Sequence, residues 1–232
     1  MRLLGVLGGM SWTSTETYYR LLNQQTAERL GGLHSARLLL HSVDFDEISA
    51  LQHADDWPAT AEILGRAARG LADAGAEGLI IATNTMHKVA DDVEAASGLP
   101  LIHIADATAR AVLDAGVRRV GLLATAFTME DTFYVGRLAA QGIETVVPPP
   151  DVRAEVHRII YDELVRDVLR PESRDAFRRA MADLVAEGAD GIVFGCTEVG
   201  LLVGSDDTSV PTFDTVALHA AAAVDWMLSP SR

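Results

Sequence analysis

The sequence predicts an α/β protein built from two similar lobes. Short, continuous apolar runs alternate with amphipathic stretches along the whole chain. That pattern suits mostly parallel sheets covered by helices on both faces. The chain also repeats itself: "LADAGAEGLIIATNT" (71–85) aligns with "LVAEGADGIVFGCTE" (184–198), and Leu71, Gly75, Ala76 and Gly78 fall on Leu184, Gly188, Ala189 and Gly191 at a constant offset of 113 residues.

Taken in order, the expected strands are 2–8, 37–43, 77–83, 100–104, 119–125, 143–147, 190–196 and 210–213. A Ser/Thr cluster opens a helix over 14–30, and Gly31–Gly32 stop it. In 172–187, Phe177, Met181, Leu184 and Val185 share one helical face before Gly188 closes the segment. The first strand, "LLGVLGGM" (3–10), resembles "RVGLLATA" (119–126), and the proline-initiated segments near 100 and 211 are similarly spaced. The expected division is a first lobe of 1–99 plus 209–232 and a second lobe of 100–208. Ligands of such folds bind at the carboxyl ends of the strands, which places the expected site in the cleft between lobes.

Composition narrows the function. The net charge of −14 repels phosphate, which argues against nucleic acid and anionic membrane as partners. No apolar run approaches the roughly 18 residues of a spanning helix. The opening "MRLLGVLGGMSW" is broken by glycines and reads as a buried strand rather than a secretory leader. One cysteine, Cys196, permits no internal disulfide, so the expected location is cytoplasmic. No His, Cys and Asp residues are spaced as metal ligands, so no metal is expected. "GVLGGM" is neither a Walker loop nor a dinucleotide fingerprint.

Both copies of the repeat end a strand in a small polar cluster, Thr83-Asn84-Thr85 and Cys196-Thr197-Glu198. Backbone N–H groups at a following helix start can hold a carboxylate without a metal. The same dipoles would lower the pKa of Cys196 and favour its thiolate. Burial as an ordinary small residue is the alternative for a lone cysteine.

The motifs "LGGMSW" (7–12), "LHSVDF" (40–45), "NTMH" (84–87), "HIADAT" (103–108) and "GCTE" (195–198) resemble, in that order, the aspartate/glutamate racemase superfamily. The resemblance covers essentially the whole chain. It implies two pseudo-symmetric flavodoxin-like lobes, a homodimer, and racemisation of an amino acid without pyridoxal phosphate or any other cofactor. Two groups on opposite faces of Cα then exchange its proton. Cys196 matches the family's second cysteine, whereas Thr83 occupies the position of the first. Some racemases of this branch carry threonine there, and in them the cysteine starts from the L-enantiomer while threonine serves the other face. The resemblance assigns substrate contacts to Met10, Asn84, Thr85, Thr197 and Glu198. Thr125 and Thr128 follow the strand that repeats the first and so face the same cleft, and Gln52 lies in a segment able to act as a lid. Helix capping or core packing would account for several of these equally. Arg37, Arg158 and Lys88 are eligible to meet a side-chain carboxylate. Asp44 and Asp106 are read as orienting or capping groups, and His87 and His103 as structural histidines before proton carriers. The rivals are an arylmalonate-type decarboxylase, a maleate isomerase or hydantoin racemase, and a non-catalytic amino-acid-binding protein.

Overall fold

The computed structural model describes residues 1–230 and divides the chain into two compact units, Met1–Ile104 with His219 onward, and Ala105–Leu218. In the first unit, β1 (Leu4–Gly8) is buried throughout and pairs in parallel with β2 (Leu38–Ser42) and β3 (Gly78–Ile81). Between them run α1 (Trp12–Leu30), α2 (Phe45–His53) and α3 (Trp57–Asp73), and α4 (Ala90–Ser97) follows. The oxygen of Ser11 caps α1 by accepting the Ser14 N–H at 3.2 Å, and Gly31, at φ 72°, ends it. The helix therefore starts two residues before the expected 14.

The second unit opens with α5 (Ile104–Asp114), whose first residue belongs to the first unit. It continues through β4 (Arg119–Leu123), α6 (Ala126–Met129), α7 (Thr132–Ala140), β5 (Glu144–Val146), α8 (Pro150–Asp162), α9 (Pro171–Ala186), β6 (Gly191–Phe194), α10 (Val199–Leu202) and β7 (Thr212–Asp214). Its sheet runs β5-β4-β6-β7, all parallel. The final helix, α11 (Thr215–Leu228), passes from the second unit into the first.

Each unit orders its strands the same way, as the repeat implies. The first sheet's fourth member is reduced to a bridge between Leu79 and Leu101, although Leu79 accepts from Ile102 N–H and donates to Pro100 O, both at 2.9 Å. The expected strand 100–104 is thus only a bridge, because α5 already begins at Ile104. The repeat keeps Gly78 and Gly191 for one reason: a Cβ on Gly78 would lie 2.5 Å from the Trp226 ring, and one on Gly191 2.8 Å from the Phe213 ring. In both units an aromatic ring takes the space a side chain would fill.

The expected crossings near 99 and 209 fall elsewhere. Leu101 joins the first sheet, and β7 pairs with β6 in the second, Ile192 opposite Thr212, so the crossings lie at 104 and 218. Of the expected segment 209–232, residues 231–232 lie outside the described residues.

Leu7, Ile48, Leu64, Ala68, Leu79, Ile81 and Val93 form the core of the first unit. On α9, Phe177, Met181 and Leu184 are buried as the periodicity predicts, and Val185 is half-buried at the margin. Burying each such side chain fully contributes about 2 kcal/mol.

Candidate active site

Two polar clusters occupy matching strand tips, one in each unit. In the first, β3 ends at Ile81 and the backbone bends through Ala82, Thr83 and Asn84 into a 3-10 turn, Thr85–Val89. Thr83 is half-buried at that tip, while Asn84 and Thr85 are buried. Met10 packs into the apolar core with Leu7 and Ile48. Gln52 is held against the body of the unit at 2% exposure, so it is no free lid. Its amide nitrogen, Nε2, is buried without a hydrogen-bond acceptor. A donor in that state costs about 1–3 kcal/mol unless a partner arrives.

In the second unit, β6 ends at Phe194, and Gly195 leads to Cys196, which is 9% exposed. The thiol Sγ donates to Glu198 Oε2 at 3.1 Å, and the Thr197 hydroxyl donates to the same oxygen. Glu198 is 3% exposed. Burial, and after it the charge of Glu198, pushes the Cys196 thiol well above the ordinary cysteine value. This corrects the expectation of a favoured thiolate. Backbone N–H groups of Thr197 and Glu198 do pull the other way. They are outweighed, since α10 has only four residues and begins at Val199. The resting group is a thiol whose proton points at a carboxylate.

The remaining expected residues sort clearly. Thr125 and Thr128 are buried at the tip of β4, their hydroxyls 3.4 Å apart. Asp44 caps α2 through the Asp46 N–H, and Asp106 makes a two-pronged ion pair with Arg137 at 2.7 and 2.8 Å. Arg158 pairs with Glu163 at 2.9 Å, and Arg37 donates to Met1 O. Lys88 lies 4.2 Å over the Trp57 ring. His87, His103 and His219 form a buried group of rings, with His87 4.5 Å from His103 and 5.5 Å from His219 between centroids.

Two residues escaped the sequence reading. His219 interrupts an alanine-rich helix, a signal that was present but unread. Asp214 at the tip of β7 lies beside Phe194 and caps α11, accepting the Val216 and Ala217 N–H groups. An aspartate directly before a helix is a capping signal, and burial pushes this one upward in pKa. Among the described residues no group of three His, Cys, Asp or Glu is placed to hold a metal ion, and no helix is long and apolar enough to cross a membrane.

Two α/β units, each with a parallel sheet and a polar cluster at the matching strand tip, one bearing a thiol against a carboxylate and the other a hydroxyl, define a duplicated α/β fold. The chain belongs to the Asp/Glu/hydantoin racemase family, which matches residues 7–223. It is similar to a candidate Asp/Glu racemase of Yersinia pestis, with 54% identity over 99% of this chain and 100% of that one and a TM-score of 0.93. It is also similar to an aspartate racemase homologue of Pyrococcus horikoshii OT3, with 33% identity, 99% and 100% coverage and a TM-score of 0.86. An arylmalonate decarboxylase variant shares the fold at 16% identity, covering 100% of this chain and 95% of the other, with a TM-score of 0.59.

Proposed function

We propose that the chain is a cofactor-independent racemase of aspartate or glutamate in which Cys196 and Thr83 serve opposite faces of Cα. The observation that carries this reading is the Cys196 thiol donating to Glu198. As substrate binds, Glu198 takes the S–H proton and leaves a thiolate. The thiolate takes the Cα proton of the L-enantiomer, and the electron pair passes into the substrate's carboxylate. Thr83 then gives its hydroxyl proton to the other face and regains one from water, and Glu198 returns its proton to the hydroxide so formed, which restores the resting enzyme. Reversal of these steps converts the D-enantiomer. Backbone and side-chain donors of Asn84, Thr85, Thr125, Thr128 and Thr197 would stabilise the negative charge that develops on the carboxylate. Gln52 Nε2 would find its missing acceptor in a substrate carboxylate.

A hydroxyl is a far weaker acid and base than a thiol, whose usual pKa is about 8.5. The two faces should therefore differ. From L-aspartate in D2O, deuterium should wash into recovered L-aspartate faster than inversion occurs. Thr83→Cys should raise wash-in to recovered D-aspartate at least about 10-fold, within the range of a general acid–base group. An NMR screen of both enantiomers of the common amino acids tests this, and no Cα exchange with any of them would defeat the reading. That result, together with a ligand-raised Tm, would point to a non-catalytic binding protein.

A second reading has one observation in its favour. A thiol protonated at rest suits an arylmalonate-type decarboxylase, in which it would donate to the carbanion left by CO2. Release of CO2 from aryl malonates, without exchange of amino acids, would favour it.

A second copy of the chain is the proposed partner. Tyr19 on α1, 59% exposed, and Leu40 on the edge strand β2, 51% exposed, line one surface hollow, and Trp12, 66% exposed, lies seven residues before Tyr19 on the same helix. An apolar patch of that kind marks an association surface. Tyr19→Asp should convert a dimer to the 24.8 kDa monomer in sedimentation, and a wild-type monomer would remove the proposal.

A further inference from the structure

We propose that His87 is a positioning residue that fixes the Thr83 hydroxyl for proton delivery, acting through the backbone carbonyl of Thr83. The inference rests on the racemase reading for Thr83's role, but goes beyond it to what holds that residue in place.

Thr83 lies past the end of β3 and before the first residue of the 3-10 turn, so its carbonyl belongs to neither a ladder nor a helix. His87 Nδ1 lies 2.8 Å from that carbonyl oxygen, which can only accept, so Nδ1 carries the proton. Nε2 lies 3.3 Å from the Ile104 N–H, which can only donate, so Nε2 presents its lone pair. Both ring nitrogens are thereby assigned, and only the neutral Nδ1–H tautomer satisfies both partners. Protonating Nε2 would set N–H against N–H.

Packing fixes the ring as well. His87 is 3% exposed and lies against His103 and His219. His219 Nε2–H donates to Ile102 O at 2.7 Å, and its Nδ1 accepts the Tyr18 hydroxyl at 2.7 Å. The chain segment 102–104 therefore braces two of the rings, one through a carbonyl and one through an N–H. Burial first, then the charges of His103 and His219, hold His87 well below the ordinary histidine range. No other side-chain charge enters that balance. The ring is a rigid strut, neutral across physiological pH, that donates to the backbone at the strand tip, to the Thr83 carbonyl at 2.8 Å and with Asn84 as a further backbone contact.

A displacement of about 1 Å at a reacting group can cost on the order of 100-fold in rate. His87→Ala should therefore lower inversion of L-aspartate by about 10–100-fold while leaving deuterium wash-in to recovered L-aspartate, the Cys196 step, within about 3-fold, with the loss in kcat rather than KM. His87→Asn places an amide N–H where Nδ1–H was and should recover most of the inversion. His87→Gln reaches toward the Nε2 position instead and should not. A merely structural histidine would lower both steps together in all three variants, in proportion to Tm. An unchanged ratio of inversion to wash-in in His87→Ala, or an Asn variant no better than Gln, overturns the inference. If the wild type exchanges no amino acid, the racemase reading fails instead, and crystal structures then decide the strut. Thr83 should move in the Ala variant and stay in the Asn variant, and an unmoved Thr83 in the Ala variant overturns it.

Discussion

Replacing Cys196 by alanine should reduce Cα deuteration from L-aspartate by at least about 10³-fold, the contribution of a well-placed acid–base group. Ligand binding should survive. The thiol is one small side chain at a strand tip, and Thr197 still donates to Glu198 when it is gone. The cost to the fold is therefore about 1 kcal/mol, and aspartate should still raise Tm. Cys196→Ser sharpens the test. A serine hydroxyl can keep the hydrogen bond to Glu198 yet cannot furnish a comparable base, so it should be nearly as inactive as alanine. NMR of exchange in D2O beside a melting curve reads both effects, and near-normal exchange in either variant would remove Cys196 from the chemistry.

Glu198→Gln should lower wash-in to L-aspartate by about 100-fold near neutral pH because the thiol loses its proton acceptor. The same change has a signed effect on the thiol. Glu198's charge is among the causes that hold the Cys196 pKa up. A neutral amide removes that repulsion, so the thiol's pKa falls and its alkylation by iodoacetamide should begin at lower pH than in the wild type. Slower turnover with an easier thiolate separates a proton acceptor from a residue that only shapes the loop. An unshifted alkylation profile would contradict the assignment.

Most of the fold was legible because it was written twice. The recurrence of 71–85 at 184–198 and of 3–10 at 119–126 needs no structure to see, and β1, β3, β4 and β6 fall where it puts them. The pair of glycines at 78 and 191 was legible as a match but not as a reason, since the rings that fill their space, Trp226 and Phe213, are remote or unremarked in sequence. The crossings were misplaced because they depend on pairing: β7 belongs with β6 by hydrogen bonds that no local pattern announces. The thiol was misjudged for a related reason. A helix-start rule applied to "GCTE" ignores that α10 is a single turn and that Glu198 folds back onto the sulfur. The strut under Thr83 was out of reach for pattern reading, since it joins Tyr18, His87, Ile102 and His219 across the whole length of the chain.

The most direct test of two unlike groups on opposite faces of one carbon begins with D-aspartate in D2O, stopped early. Thr83 would take the proton and a solvent-exchanged Cys196 S–D would answer from the other side. The L-aspartate formed should then carry deuterium at Cα while the recovered D-aspartate keeps its protium. L-aspartate that retains the original protium would mean that one group carries the proton across both faces, and that result would contradict the opposed pair.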